Sequence, residues 1–257
     1  SQKGPMARNV ADLALLADAM AGPSSLTGLS KTHLINEFRN AVARPLKPLK
    51  IAYSEDLGIT QTSSEVAAIC NTAIAKLEQE KVNVENDHPD LSMMDAAFEV
   101  PRALGYAQSY GADLANTREI MKPEVVWNIE KGLNLSADEI RDSLDAQGQV
   151  FANASRFMQN YDLLICPATI MPAYPVEERY PGFSDGLAYS EYYRWLAICC
   201  AVTATTLPVI TLPCGKTDSG LPVGLQLIGK AHGELDLFAM AGYLEQIFGW
   251  DPLQAIA

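Results

Sequence analysis

Two long apolar runs near the C-terminus form the clearest hydrophobic pattern in the chain. They lie within residues 207–230, LPVITLPCGKTDSGLPVGLQLIGK, and flank the polar tetrapeptide 217–220. Asp and Ser bond to local backbone and Gly accepts positive φ, so the tetrapeptide predicts a turn. The pattern therefore predicts a hairpin of strands 209–213 and 223–229. Neither strand alternates with polar residues, so both are expected deep in a sheet with helices on each face.

Three further segments predict strands of the same sheet. A strand at residues 49–53 is followed by a helix, with Thr62 as its expected cap, and by a strand at 82–85. Strand, helix and strand at this spacing predict a parallel pair. The apolar run DLLIC at 162–166 predicts another buried strand. These elements together indicate an α/β protein.

Capping signals and apolar spacing predict the helices around this sheet. The first helix is expected to be capped by Asn9 and to bury one face. The next helical region opens at Ser92, and Pro101 is expected to break or kink it. Further helices are predicted from Pro123, from a capping box at Ser136, and finally over residues 234–248. The expected core positions of the first helix are Val10, Leu13, Leu16, Ala17 and Met20.

A long loop, residues 168–188, follows the strand at 162–166 and is rich in Pro, Gly and Tyr. Loops of this length inside a compact domain often line a site. Several aromatic residues lie in the loop or just after it, and they can form the wall of an apolar acyl or aryl pocket. They can equally serve only to hold the loop in place, so both interpretations stay open. The residues are Tyr180, Tyr189, Tyr192, Tyr193 and Trp195.

Composition narrows the function classes. The 257 residues carry 31 acidic and 19 basic side chains, a net charge of −12, which argues against a nucleic-acid partner. The apolar runs are too short to span a membrane. The five cysteines have no CxxC spacing, which is typical of reduced thiols in a cytoplasmic protein. Three scattered histidines, His33, His88 and His232, predict neither a metal site nor a catalytic base.

Three blocks of sequence resemble the amidase signature family. GPMARNVADLALLADAMAG at residues 4–22 is similar to the segment that follows that family's catalytic serine region. DLLICPATIMP at 162–172 resembles its buried strand ending in Pro, and LPVITLPCG with GLPVGLQLIG at 207–229 resembles its C-terminal strand pair. The three blocks occur in the family's order.

The resemblance implies both a fold and a chemistry. The fold is α/β, with a mixed sheet flanked by helices on both faces. The chemistry is carboxamide hydrolysis by a Ser–Ser–Lys triad, with oxyanion-hole amides from a glycine-rich segment and with neither a metal nor an organic cofactor. In the family, these catalytic residues lie upstream of the block at 4–22. Lys3, Ser24 and Ser25 do not match that motif, so residues 1–257 are expected to form the C-terminal portion of one amidase-like domain, without the nucleophile.

Small departures from the family pattern bear on the substrate. Ala168 stands where relatives often have Thr, and Thr203 and Thr206 stand near their Asn and Gly. These departures favour a free-standing amidase of small acyl or aryl amides over the transamidating branch, which makes Gln-tRNA with a partner subunit. The expected pocket neighbours are the loop at 169–180 and a set of substrate-binding side chains, namely Thr169, Tyr180, Tyr189, Tyr192, Trp195 and Thr203.

Two other classes of function remain as alternatives. One is a non-catalytic truncated relative that acts as a scaffold or interaction protein, and the other is a subunit of a tRNA-dependent transamidase. On the first hypothesis, the partners are a small-molecule amide and a missing N-terminal half. A chain without that half is expected to expose a sheet edge and to self-associate.

Overall fold

The computed structural model describes residues 4–26, 36–181, 183–184, 187–188 and 192–249. Helices alternate with strands along the chain. The strands are β1 (Lys50–Tyr53), β2 (Asn83–Asn86), β3 (Leu163–Pro167), β4 (Phe183–Ser184), β5 (Leu187–Ala188), β6 (Val209–Lys216) and β7 (Pro222–Ile228). The α-helices are α1 (Val10–Met20), α2 (Glu37–Val42), α3 (Ser64–Gln79), α4 (Met94–Tyr110), α5 (Leu114–Thr117), α6 (Pro123–Leu133), α7 (Ala137–Phe157), α8 (Ala197–Ala204) and α9 (Glu234–Phe248).

A mixed sheet forms the centre of the molecule. In the part of the chain that the structure describes, five strands are ordered β2–β1–β3–β7–β6, and β4 pairs separately with β5. β1 runs parallel to both β2 and β3, whereas β7 is antiparallel to β3 and to β6. The predicted parallel pair and the predicted hairpin are both confirmed. The hairpin turn closes where Thr217 N–H donates to the Leu221 carbonyl at 2.9 Å.

Apolar side chains cover both faces of the central strands. Ile51 and Tyr53 of β1 pack in one cluster with residues of α1, α2, α3 and α9. Ala52, between them, points to the opposite face and packs with residues of α4, α7 and α8. Successive residues of a strand face opposite sides, so this division shows helices on both faces of the sheet. The predicted α/β class is confirmed.

β6 departs from the expectation that both strands of the hairpin are covered on both faces. Ile210 and Leu212 are buried, but Val209, at the start of β6, is 37% exposed and Thr211 is exposed as well. In the described sheet β6 is the last strand, and α3 and α9 contact it from one side. The expectation is correct for β7 and wrong for β6, because an apolar run does not tell an edge strand from a central one.

The first helix buries a narrower face than its spacing predicts. Asn9 does cap α1, since its Oδ1 accepts from Asp12 N–H at 2.7 Å. The fully buried positions are Val10, Ala14 and Ala17, whereas Leu16 and Met20 are 40% and 57% exposed. The small alanines allow α2 and α9 to approach closely, so the contact lies along the alanine side of the helix.

Two other helix predictions are wrong in detail. α3 is capped by Ser63 rather than Thr62, and Thr62 instead donates its hydroxyl to the Glu55 carbonyl. α4 begins at Met94 without a side-chain cap and continues unbroken through Pro101, which cannot donate to the Ala97 carbonyl. Packing of α4 against α6 and α7 compensates for that lost bond.

The remaining helix signals are correct. α6 begins at Pro123, and α7 has both bonds of the predicted capping box. Ser136 N–H donates to Glu139 at 2.8 Å, and Glu139 N–H donates back to the Ser136 hydroxyl at 3.2 Å. α9 spans the predicted residues, Glu234–Phe248.

Candidate functional site

A cleft of about 670 Å³ opens beside α4 and α8 on one side of the sheet. This volume is within the range typical of small-molecule sites. A second cavity, beside Asp162 and Lys230, measures about 160 Å³ and is below that range. The larger cleft is therefore the better candidate for a ligand site. Its lining residues include Phe98, Pro101, Arg102, Tyr106, Ser109, Gln147, Leu196, Cys199, Cys200, Thr203 and Thr206.

Arg102 is the central polar side chain of the cleft wall. Its Nε donates to Asn128 Oδ1 at 3.2 Å, and its Nη2 donates to the Tyr192 hydroxyl. Asn128 also donates from Nδ2 to the Tyr192 hydroxyl at 2.7 Å and to the Glu124 carbonyl at 2.6 Å. One hydrogen-bonded triangle thus ties α4, α6 and the segment before α8 together.

Aromatic rings surround the Arg102 guanidinium. Its central carbon lies between 5.4 and 5.8 Å from the ring centroids of Phe98, Tyr106, Tyr192 and Tyr193. Distances below about 6 Å allow cation–π attraction, and the rings also limit the access of water to the cation. Phe98, Arg102 and Tyr106 are spaced four residues apart on α4, so they lie along one face of that helix.

Glu99 connects three further side chains next to this cluster. Its carboxylate accepts from the Tyr193 hydroxyl, from Lys131 Nζ at 3.0 Å and from Arg194 Nη2 at 3.2 Å. Burial raises the pKa of the Glu99 carboxyl, but the hydrogen bond from Tyr193 and the charges of Lys131 and Arg194 outweigh burial. The net effect is a lowered pKa, so Glu99 is ionised at neutral pH.

Two thiols lie in the cleft wall. Cys199 donates its S–H to the Ala168 carbonyl, with 3.0 Å between the heavy atoms. Burial raises the pKa of Cys199, and it raises the pKa of Cys200 to about 12. Both thiols are protonated at neutral pH. Because the thiolate is the nucleophilic form, neither is poised to attack a substrate.

The structure brings part of the predicted set to the cleft. Thr203 lines it, and Tyr192 holds Arg102 in its wall. Tyr180 is 39% exposed, and its ring centroid lies 5.9 Å from that of Tyr192. Trp195 packs edge-on against Tyr174 at 5.4 Å, one residue before the lining residue Leu196.

Two of the predicted site residues have a different outcome. The Thr169 hydroxyl donates to the Met171 carbonyl at 2.8 Å, which folds the start of the loop back on itself. Tyr189 lies outside the described residues. Whether any residue of the predicted set contacts substrate stays a prediction.

Neither described histidine belongs to the cleft lining, and His33 lies outside the described part of the chain. Within the described ranges, no three or more His, Cys, Asp or Glu side chains are grouped so as to hold a metal ion. None of the helices described in the structure combines the length and apolar character that crossing a membrane requires.

Sequence reasoning missed Arg102, Asn128 and Glu99. All three come from the generic middle of the chain, where no motif pointed to chemistry. One signal was available: an arginine placed four residues from an aromatic on each side of it, at Phe98 and Tyr106, within a predicted helix. That spacing predicts a shared face but not which pocket the face lines.

An α/β sheet covered on both sides, with an aromatic-walled cleft on one face, defines an enzyme-like fold. The family model "Amidase" matches residues 1–238. The chain therefore belongs to the amidase family, as the three sequence blocks indicated.

Several known proteins are similar to this chain. An acylamidase of Rhodococcus erythropolis is 26% identical, covering 96% of this chain and 52% of the relative. A glutamyl-tRNA(Gln) amidotransferase subunit of Moorella thermoacetica is 30% identical, covering 95% and 54%. The crystal structure of a bacterial aryl acylamidase of the amidase signature family has a TM-score of 0.85 at 21% identity, covering 96% and 53%. That structure shows the shared fold, and the chain spans about half the length of these relatives.

Proposed function

We propose that this chain forms the core sheet and a substrate-cleft wall of an amidase signature hydrolase that cleaves carboxamide C–N bonds. Membership of the amidase family supports the reaction class. The observation that carries the proposal is the cleft of about 670 Å³ beside Phe98, Tyr106 and Leu196. Apolar and aromatic walls with few polar groups suit the organic part of a small amide.

The nucleophile is proposed to come from polypeptide other than the described residues. Among the described side chains that line the cleft, Ser109, Cys199 and Thr203 are potential nucleophiles, and none is hydrogen bonded to a lysine or histidine. The proposed reaction is attack of a serine on the amide carbonyl. The amine then leaves with a proton, and water hydrolyses the acyl-serine. The role of the cleft is to position the amide for that attack.

A change that fills the cleft tests this role in the full-length protein. Thr203→Phe places a ring in the cleft and is expected to raise KM for anilides and aliphatic amides by about tenfold. Thr72→Phe, at an exposed position of α3, is the matched control and should leave KM unchanged. Unchanged KM and kcat for Thr203→Phe across several amides would contradict the assignment of the cleft.

An amidotransferase component is the second candidate, because a relative that is 30% identical carries that name. This candidate predicts little amide hydrolysis by the protein alone and ammonia transfer only with partner proteins. Ammonia release from simple amides by the purified full-length protein favours the hydrolase. Binding of amides without turnover, with or without partners, would instead favour a non-catalytic relative.

A further inference from the structure

Among the described residues, Arg102 has only neutral hydrogen-bond acceptors. Its two bonded partners there are an amide oxygen and a phenol oxygen, from Asn128 and Tyr192. The neighbouring cations differ, because Lys131 and Arg194 both pair with carboxylates. Within the described part of the chain, Arg102 thus presents an unneutralised positive charge in the wall of the cleft.

The guanidinium also has donors to spare. It carries five N–H groups, and the two bonds to Asn128 and Tyr192 use one from Nε and one from Nη2. Nη1 has no hydrogen-bond partner in the described residues. A planar fork with free N–H groups matches the geometry of a carboxylate, which can accept two parallel bonds from it.

The local charge balance differs from that of the whole chain. Arg102, Lys131 and Arg194 are three cations, and the carboxylates paired with them are Glu99 and Asp95. The cleft wall therefore has one positive charge in excess, although the chain has a net charge of −12. The surrounding rings lower the local polarity, which strengthens the attraction between Arg102 and an anion.

We propose that Arg102 binds a carboxylate of the substrate, so that the preferred amides carry a carboxylate in addition to the scissile amide bond. This inference rests on the proposed function, because it assigns a ligand to the same cleft. The guanidinium holds the carboxylate through its free N–H groups, and Phe98 and Tyr106 pack against the organic part of the molecule. The competing explanation is that Arg102 only clamps α4 to Asn128 and Tyr192.

Matched ligand pairs separate these explanations in the full-length protein. Each pair consists of an amide acid and its methyl ester, for example hippurate, 4-acetamidobenzoate and 6-acetamidohexanoate with their esters. Binding is measured by calorimetry and hydrolysis by amine release. The wild-type protein is expected to prefer at least one acid over its ester by about tenfold or more, as a hydrogen-bonded charge pair would give.

Variants then assign the preference to Arg102. Arg102→Gln should abolish the preference for the acid while the ester still binds, and Arg102→Lys should retain only part of it. Arg118→Gln removes an arginine that pairs with Glu130 at the surface and should leave the preference unchanged. A clamp without a ligand role would change thermal stability but would not selectively change the ratio of acid to ester.

The outcomes also separate this inference from the proposed function. Equal binding and hydrolysis of acid and ester by the wild-type protein would overturn the inference and leave the hydrolase standing. An acid preference that persists in Arg102→Gln would overturn it in the same way. Absence of binding and turnover for every ligand of the panel would overturn both. Tyr192→Phe keeps Arg102 and should keep the preference, so a variant that fails to fold does not decide the question.

Discussion

Glu99 illustrates how a single side chain organises the wall of the cleft. It accepts bonds from Lys131 of α6 and from Tyr193 and Arg194, which precede α8. Its side chain is 21% exposed, so its bonds are only partly screened by water. Removing a carboxylate from such a network leaves its donors without a charged acceptor.

Glu99→Gln is expected to lower the free energy of unfolding at pH 7 by about 1.5–3 kcal/mol, because bonds to a charged group are lost. The lowered pKa of Glu99 fixes the pH dependence. Its stabilisation is present above the unfolded pKa, about 4.3, and is lost as the pH falls through the lower folded value. Urea unfolding from pH 7 to pH 3 should therefore show the two proteins converging in acid.

Glu130→Gln provides the matched control. Glu130 pairs with Arg118, and both side chains are nearly half exposed. An exposed ion pair contributes about 0–1 kcal/mol, so this variant should unfold much like the wild type. An equal loss in both variants would contradict the central role of Glu99.

Sequence reasoning placed some site residues correctly and could not place others. Thr203 and Tyr192 were identified because they lie near a long loop, and long loops often line sites. Arg102 and Glu99 precede that loop by more than 60 residues, on α4. Their position at the site depends on which face of α4 meets Tyr192 and Tyr193, and helical spacing in one sequence does not determine that pairing.

At the scale of elements, the approach of α4 to α6 depends on Gly132. A Cβ atom at this position would lie 2.1 Å from the Ala103 carbonyl oxygen and 2.7 Å from the Ala107 Cβ. Neither atom belongs to a flexible side-chain end, so the two helices would have to move apart. Because Asn128 on α6 holds Arg102 on α4, that separation would also disturb the cleft.

Gly132→Ala is therefore expected to destabilise the protein by about 1–3 kcal/mol, the usual effect of overpacking, measured by thermal or urea unfolding. Gly148→Ala is the control, since Gly148 lies on an exposed face of α7 with nothing near the new methyl group. It should stabilise the protein by about 0.5–1 kcal/mol, because alanine favours helix. Stabilisation by both changes would show that α4 and α6 are further apart than described.

The elements themselves divide into those that local chemistry determines and those that packing determines. The caps at Asn9 and Ser136 and the start of α6 at Pro123 follow from nearby backbone groups, and the sequence predicted them. The continuous α4 and the one-sided covering of β6 depend on neighbours distant in sequence. Pro101 was expected to break a helix that contacts with α6 and α7 maintain.

At the scale of the whole molecule, apolar surface is concentrated at two places that the sequence expected to be buried. Leu16 and Met20 of α1 are exposed, and so is Val209 of β6. β6 is also the last strand of the described sheet, so its outer edge offers unpaired backbone groups. An exposed apolar edge strand favours pairing with another chain.

We expect the 257-residue chain to self-associate through β6, and Val209→Glu to weaken that association. Burying one valine contributes about 1.5 kcal/mol or more, so its replacement by a charge should raise the dissociation constant at least about tenfold in sedimentation experiments. Leu144→Glu, at a 59% exposed position of α7, places the same charge away from the sheet edge and should have no effect. A monomer at every concentration, or equal weakening by both changes, would mean that β6 is not the contact surface.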